Sequence, residues 1–250
     1  MPEAVAQPEA SAQPLNQIQR VVDAYVAPSK TFTDILRSSS WWLPWIIGIV
    51  VSIGLGMAIQ QKIGWQTTYN NILRQSPSQQ QRIEQMPAAQ QARVKSIGAT
   101  VTRSIFWATP ALLLLYAVIG AAVLLGTINF GFGGRAKFGQ MFAVWFYATL
   151  PGVIKAILGI VTIYAGVDPD AFNINNYVGT NIGYYLPVDM PKWLIGLGTS
   201  IDVFTIWILV LLTIGCATVG RVKKSQAATA VWGWFILIVL VHTAYLAFAS

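Results

Sequence analysis

From Ser200 to Val219 the chain carries one carboxylate, Asp202, and no further charge until Arg221. A stretch that long and that apolar does not suit the surface helix of a soluble domain. At about 1.5 Å per residue it matches the ~30 Å hydrocarbon layer of a bilayer. Arg221, Lys223 and Lys224 close it, as interfacial cations close membrane spans. Similar apolar stretches recur, which predicts five spans at about 41–60, 105–127, 138–165, 200–219 and 227–248. The expected fold class is all-α: a polytopic membrane bundle of five transmembrane helices.

Composition supports that reading and removes others. Only 10% of the residues are charged and 55% are hydrophobic, against about 25% charged in soluble domains. A net charge of +7 could suit nucleic acid. The basic residues sit beside apolar runs, however, where they set orientation, so no nucleic-acid partner is expected. The chain has one cysteine, Cys216, inside a span, and one histidine, His242. Neither a disulfide framework nor a metal-ligand set can be built from them, and no cofactor is expected. No Ser/His/Asp arrangement with a nucleophile elbow is present, so an enzyme is not expected.

Residues 1–17 are rich in Pro, Ala and Gln and lack an apolar core. They are expected to form a disordered tail, not a signal peptide. Residues 18–40 are expected to be an interfacial segment. Ile18, Val21, Val22, Tyr25 and Val26 recur at helical spacing, as do Phe32, Ile35 and Leu36 after Pro28. This predicts two short amphipathic helices lying on the membrane surface, with Ser29 or Thr31 capping the second.

The membrane domain is expected over 41–250. Trp41, Trp42 and Trp45 suit an aromatic belt at the start of the first span. Residues 61–104 form a polar helical hairpin, with a capping box at Ser76-Pro77-Ser78-Gln79 and a restart at Met86-Pro87 that runs into the second span. Gly131, Gly133 and Gly134 mark a tight turn; without a Gly-Lys-Ser/Thr ending they are no phosphate loop. Pro151-Gly152 interrupts the third span, because Pro151 cannot bond the carbonyl of Tyr147. In the 166–199 loop, Asp168-Pro169 resembles a helix start, and Pro191 to Leu197 a short interfacial helix.

Loop charges favour a cytoplasmic N-terminus and an outside C-terminus, with the first loop dissenting. The expected location is a cell membrane, crossed several times.

Several motifs together resemble a known family. They are Ala27-Pro28-Ser29-Lys30-Thr31-Phe32, Trp41-Trp42-Leu43-Pro44, Phe138 through Leu150-Pro151, and Asp202-Val203-Phe204-Thr205-Ile206-Trp207 with Leu211 and Gly215. In that order and spacing they resemble the Yip family, in its bacterial branch. This is a family of membrane proteins named for interaction with Ypt/Rab GTPases. The resemblance implies five helical spans and a cytoplasmic N-terminus. For eukaryotic members it implies trafficking factors that bind GTPases and one another; for bacterial-type members it implies a fold.

Three residues stand out as candidate binding residues. Lys155 places an ammonium within a span, at a cost of at least about 3 kcal/mol unless it faces protein or water. The alternatives for it are an anionic ligand, freed carbonyls beside Pro151, or snorkelling toward an end. Asp202 stands where a carboxylate caps a helix. His242 is expected to hydrogen-bond across helices, with proton relay as the sharper alternative. All three fall in the same half of the membrane and could form one polar cluster. Small residues at Gly48, Ser52, Gly56, Gly120, Gly152, Ala156 and Gly159 permit close helix packing.

The expected function is a non-enzymatic integral membrane protein. It would act through contacts with the lipid bilayer, other membrane proteins or itself. The alternative is a transporter or channel component with a path near the broken third span and a water-accessible cavity reaching Lys155; a contact protein is expected to have no cavity.

Overall fold

The computed structural model describes residues 14–187 and 190–249. Most of the expected disordered tail, and Asp189 of the third loop, therefore lie outside the described residues. Five helices are long and apolar enough to cross a membrane: Trp42–Ile63, Ala88–Gly131, Phe138–Tyr164, Val203–Gly220 and Lys224–Phe248. The all-α polytopic bundle expected from hydropathy is the observed fold.

The first two helices, α1 (Gln17–Val26) and α2 (Pro28–Ile35), are amphipathic as expected. Asn16 and Gln19 form a reciprocal capping box at the start of α1. The two helices fold into a hairpin packed on the spans. Thr31, Phe32 and Ile35 are fully buried. The Tyr25 hydroxyl donates to the carbonyl of Leu150 at 2.9 Å, and its ring meets Trp207 edge-on at 5.8 Å. Leu150 lies twelve residues beyond Phe138, about 18 Å along the helix. The outward side of α1 carries Ile18, Val22 and Val26, all exposed. An apolar outer face at that depth suits lipid.

The hairpin is closed by a guanidinium. Arg20 is fully buried. Its Nε donates to Asp34 Oδ2 at 2.5 Å, and Nη1 donates to the carbonyl of Ser38 at 2.9 Å. Thr31 in turn donates to the carbonyl of Arg20 at 2.9 Å, and no cap bond from Ser29 or Thr31 forms. Burial works against the Asp34 carboxylate, but hydrogen bonds from Arg37 and Arg20 outweigh it, so Asp34 ionises below the ordinary 3.8.

Helix α3 (Trp42–Ala58) and its π-turn to Ile63 form the first span. Trp41 stacks on Phe146 at 5.2 Å and meets Phe142 at 5.0 Å. It is therefore a packing residue more than a belt residue. Helices α4 (Trp65–Arg74) and α5 (Pro77–Glu84) lead into α6 (Ala88–Gly126). Helix α6 is unbroken for 39 residues, about 58 Å, so it continues well beyond a bilayer. The expected capping box at Ser76 does not close, since its side chain makes no cap bond. Pro77 presets the first turn by itself. The polar hairpin docks on the 166–181 loop. Asn71 donates to the carbonyls of Pro169 and Phe172, each at 2.8 Å, and Arg74 pairs with Asp170 at 2.8 Å.

The glycine turn after α6 is pinned by Asn129. Its side chain donates to the Ala136 carbonyl at 2.9 Å and accepts from the Ala136 amide at 3.0 Å. The third span breaks as expected: α7 (Phe138–Ala148) stops and α8 (Pro151–Tyr164) restarts at the proline. Asp168 makes an Asx turn to the Asp170 amide at 3.0 Å in place of the expected helix cap. The expected interfacial helix is α9 (Lys192–Ser200), followed by α10 (Val203–Gly220) and α11 (Lys224–Ala249).

Core burial centres on α7 and α10. Gly215 of α10 lets Phe32 and Val144 close over it; a Cβ there would lie 3.1 Å from the Phe32 ring and still nearer Val144.

Candidate functional site

The break in the third span and the start of α10 create the most polar intramembrane feature. Asp202 has extended backbone (φ −115°, ψ 136°), the geometry of an N-cap. Its Oδ1 accepts from the amides of Phe204 at 3.0 Å and Thr205 at 3.1 Å. Its Oδ2 accepts from the Thr180 hydroxyl at 2.5 Å and from Lys155 Nζ at 3.0 Å. One carboxylate thus joins α8, the 166–191 loop and α10. The Val203 amide donates to the Thr180 carbonyl at 3.1 Å, which ties the loop to α10 a second time. Burial, and then the Asp202 charge, push the Tyr177 phenol above its ordinary value.

Of the three candidates, the structure brings together two. His242 is exposed on α11, and its side chain makes no hydrogen bond to the described residues. It sits beside α9, where a Cβ on Gly196 would lie 3.8 Å from its Cε1. The cross-helix bond expected of it does not form, because α11 turns most of its surface outward. Lys155 lies seventeen residues beyond Phe138, about 25 Å along α7 and α8. The Lys155 side chain keeps 23% of its surface exposed, against 2% for Asp202.

Thr180 is the member that sequence reasoning missed. It stands in a polar loop with no periodicity, and only its contact with Asp202 distinguishes it. Asn181 beside it is another: it exchanges hydrogen bonds with Asn176 and caps the short turn at Tyr184.

A separate cavity of about 450 Å³ lies between α3, α6 and the α7–α8 break. Contrary to the expectation for a contact protein, a cavity is therefore present. Its wall includes Val153, Ala156 and Tyr177 but not Lys155, and it is mostly apolar. The small residues divide accordingly. Gly56 lies under Phe106 and Trp107, where a Cβ would come within 2.6 Å and 3.0 Å; Gly120 is covered by Trp145, and Gly159 by Tyr177. Gly48 and Gly152 have nothing within 4 Å of where a Cβ would be, and both line the cavity.

The Yip1 domain model matches residues 22–246, nearly the whole chain. The chain belongs to the Yip1-domain family. The match begins within α1 at Val22 and reaches into the fifth span, so α2 and the Asp202 site fall within the family's domain. No curated protein and no solved structure matches the chain. Membership makes it a multi-pass membrane protein with several apolar helices, and lipid is its solvent.

Proposed function

We propose that this Yip1-domain protein works by contact and carries out no covalent chemistry. It would hold other membrane proteins, or further copies of itself, within the bilayer. The observation that carries this reading is the state of the intramembrane charges. Lys155 is spent on Asp202 at 3.0 Å, and Asp202 is further occupied by Thr180 and two backbone amides. A site that must bind and release solute needs unsatisfied polar groups facing a path, and the cavity wall is mostly apolar. A transporter therefore has less support than a contact protein.

The projecting part of α6 offers a contact surface. Ile97 and Val101 stand exposed one helical turn apart, flanked by exposed Arg93 and Arg103. Orientation is part of the proposal. Arg135, Lys137, Arg221, Lys223 and Lys224 are exposed at two turns joined by the bond from the Arg135 amide to the Gly220 carbonyl, at 3.0 Å. We place that end in the cytoplasm of a bacterial-type cell, which puts the α4–α6 hairpin outside.

Affinity purification in gentle detergent, followed by identification of partners by mass spectrometry, tests the reading. The expected result is a defined set of membrane proteins or a homo-oligomer, lost on Ile97→Glu/Val101→Glu substitution. A chain that purifies alone as a monomer, and moves solute across proteoliposomes in a Lys155-dependent way, would replace contact with transport.

A further inference from the structure

We propose that the cavity between α3, α6 and the α7–α8 break holds one acyl chain of a bilayer phospholipid. The cavity wall follows α3 from Pro44 to Ile59, fifteen residues and so about 22 Å. Dividing the volume of about 450 Å³ by that length leaves a mean cross-section of ~20 Å². A section of that order admits an extended alkyl chain. Three backbone bonds span at most about 3.6 Å, so ~22 Å accommodates a chain of roughly 18 bonds.

The lining suits a hydrocarbon and repels water. Trp45, Phe106, Tyr116, Trp145 and Tyr177 supply aromatic walls. Several polar atoms nearby are already committed. The Thr109 hydroxyl donates to the Ile105 carbonyl at 3.3 Å, Thr149 to the Phe146 carbonyl at 3.2 Å, and Trp45 Nε1 to the Pro110 carbonyl at 3.4 Å. Water needs two to four polar partners to stay in a buried site, and this wall offers few. The neighbouring helices are membrane spans, so the solvent beside the cavity is lipid.

Two glycines contribute to the width of the slot. Some bundle glycines admit a neighbour, as Gly56 admits Phe106 and Gly215 admits Phe32 and Val144; others, such as Gly126 and Gly233, face open space, but Gly48 and Gly152 are the open ones that line this cavity. At Gly48 and Gly152 no protein atom takes up the space that the missing side chain leaves. Glycine at those positions keeps the slot open for a guest.

The test uses the full chain in nanodiscs containing a phospholipid with a photoactivatable diazirine midway along one acyl chain. The probe is raised from low mole fraction, and labelled peptides are quantified by mass spectrometry. Labelling of the peptides carrying Gly48 and Gly152 should saturate near one lipid per protein. Labelling around Leu237 on the exposed face of α11 should rise linearly, as bulk lipid contact does. Filling the slot with Gly48→Leu and Gly152→Leu should cut the saturable labelling at least fivefold and leave the α11 signal unchanged. Slot labelling that rises linearly in the unsubstituted protein would overturn the proposal, whether or not the filled variants fold. So would saturable labelling that persists in filled variants with unchanged near-UV circular dichroism.

Discussion

Replacing Asp202 by alanine removes three interactions at once, and their separate costs can be worked out from the geometry. The first is the N-cap of α10: two amides, at 3.0 Å and 3.1 Å, lose their acceptor, which costs about 1 kcal/mol. The second is the bond from Thr180 that holds the loop, about 1–2 kcal/mol because its acceptor was charged. The third is the stranding of Lys155. An unpaired buried charge costs about 3–5 kcal/mol, but Lys155 keeps 23% of its surface exposed, which lowers the estimate to ~2 kcal/mol. The sum is about 4–5 kcal/mol, a large part of the stability of a typical domain. Asp202→Asn keeps a cap acceptor and should cost about half as much. Lys155→Met removes the charge that Asp202→Ala would strand, so the double substitution should be less damaging than the sum of the singles by about 1.5–2 kcal/mol. Reversible unfolding in mixed micelles, followed by tryptophan fluorescence, measures all four corners of that cycle. A coupling below ~0.3 kcal/mol would refute the view that this ion pair fastens α8 to α10.

Arg20→Met should loosen the α1–α2 hairpin, since Asp34 loses its buried partner and keeps only Arg37 at 2.9 Å, at a cost of about 1–3 kcal/mol. Hydrogen exchange of residues 17–35 should rise while that of α10 stays protected. The Asp34 carboxylate ionises below 3.8 in the fold despite the opposing effect of burial. A depressed folded value stabilises above the unfolded pKa and is lost as pH falls through the folded one. Hairpin protection should therefore be flat from pH 8 to about 5 and fall only below about pH 4; a transition near pH 6 would contradict the assignment. Gly56→Leu should force Phe106 and Trp107 off α3 and cost about 2–3 kcal/mol, whereas Gly152→Ala should be neutral because nothing lies within 4 Å of the new methyl. Thermal unfolding of the two variants side by side checks the contrast.

Much of the fold was legible because lipid imposes a strong pattern on sequence. Spans are long apolar runs, and the break at Pro151 follows from one missing amide hydrogen. The Asp202 cap was legible for the same local reason. What sequence could not convey was the partner across space. Nothing in the sequence around Arg20 marks it as buried, because its burial depends on Asp34 and Ser38 meeting it in the hairpin. For the α1–α2 segment, amphipathic periodicity says which side is greasy, not whether lipid or protein covers it. Thr180 and Asn181 sit in a loop with no period to read. Gly48 and Gly56 look alike in sequence, yet one faces a cavity and the other an aromatic ring.

In the proposed topology, five crossings put the two ends of the chain on opposite faces of the bilayer, with the N-terminus inside. Single cysteines at Ser11 and Ser250, introduced after Cys216→Ala, can be probed in sealed right-side-out vesicles with a membrane-impermeant maleimide. The expected result is labelling at position 250 without lysis and at position 11 only after lysis. Labelling of both positions, or of neither, before lysis would contradict an odd number of crossings, and with it the five-helix account.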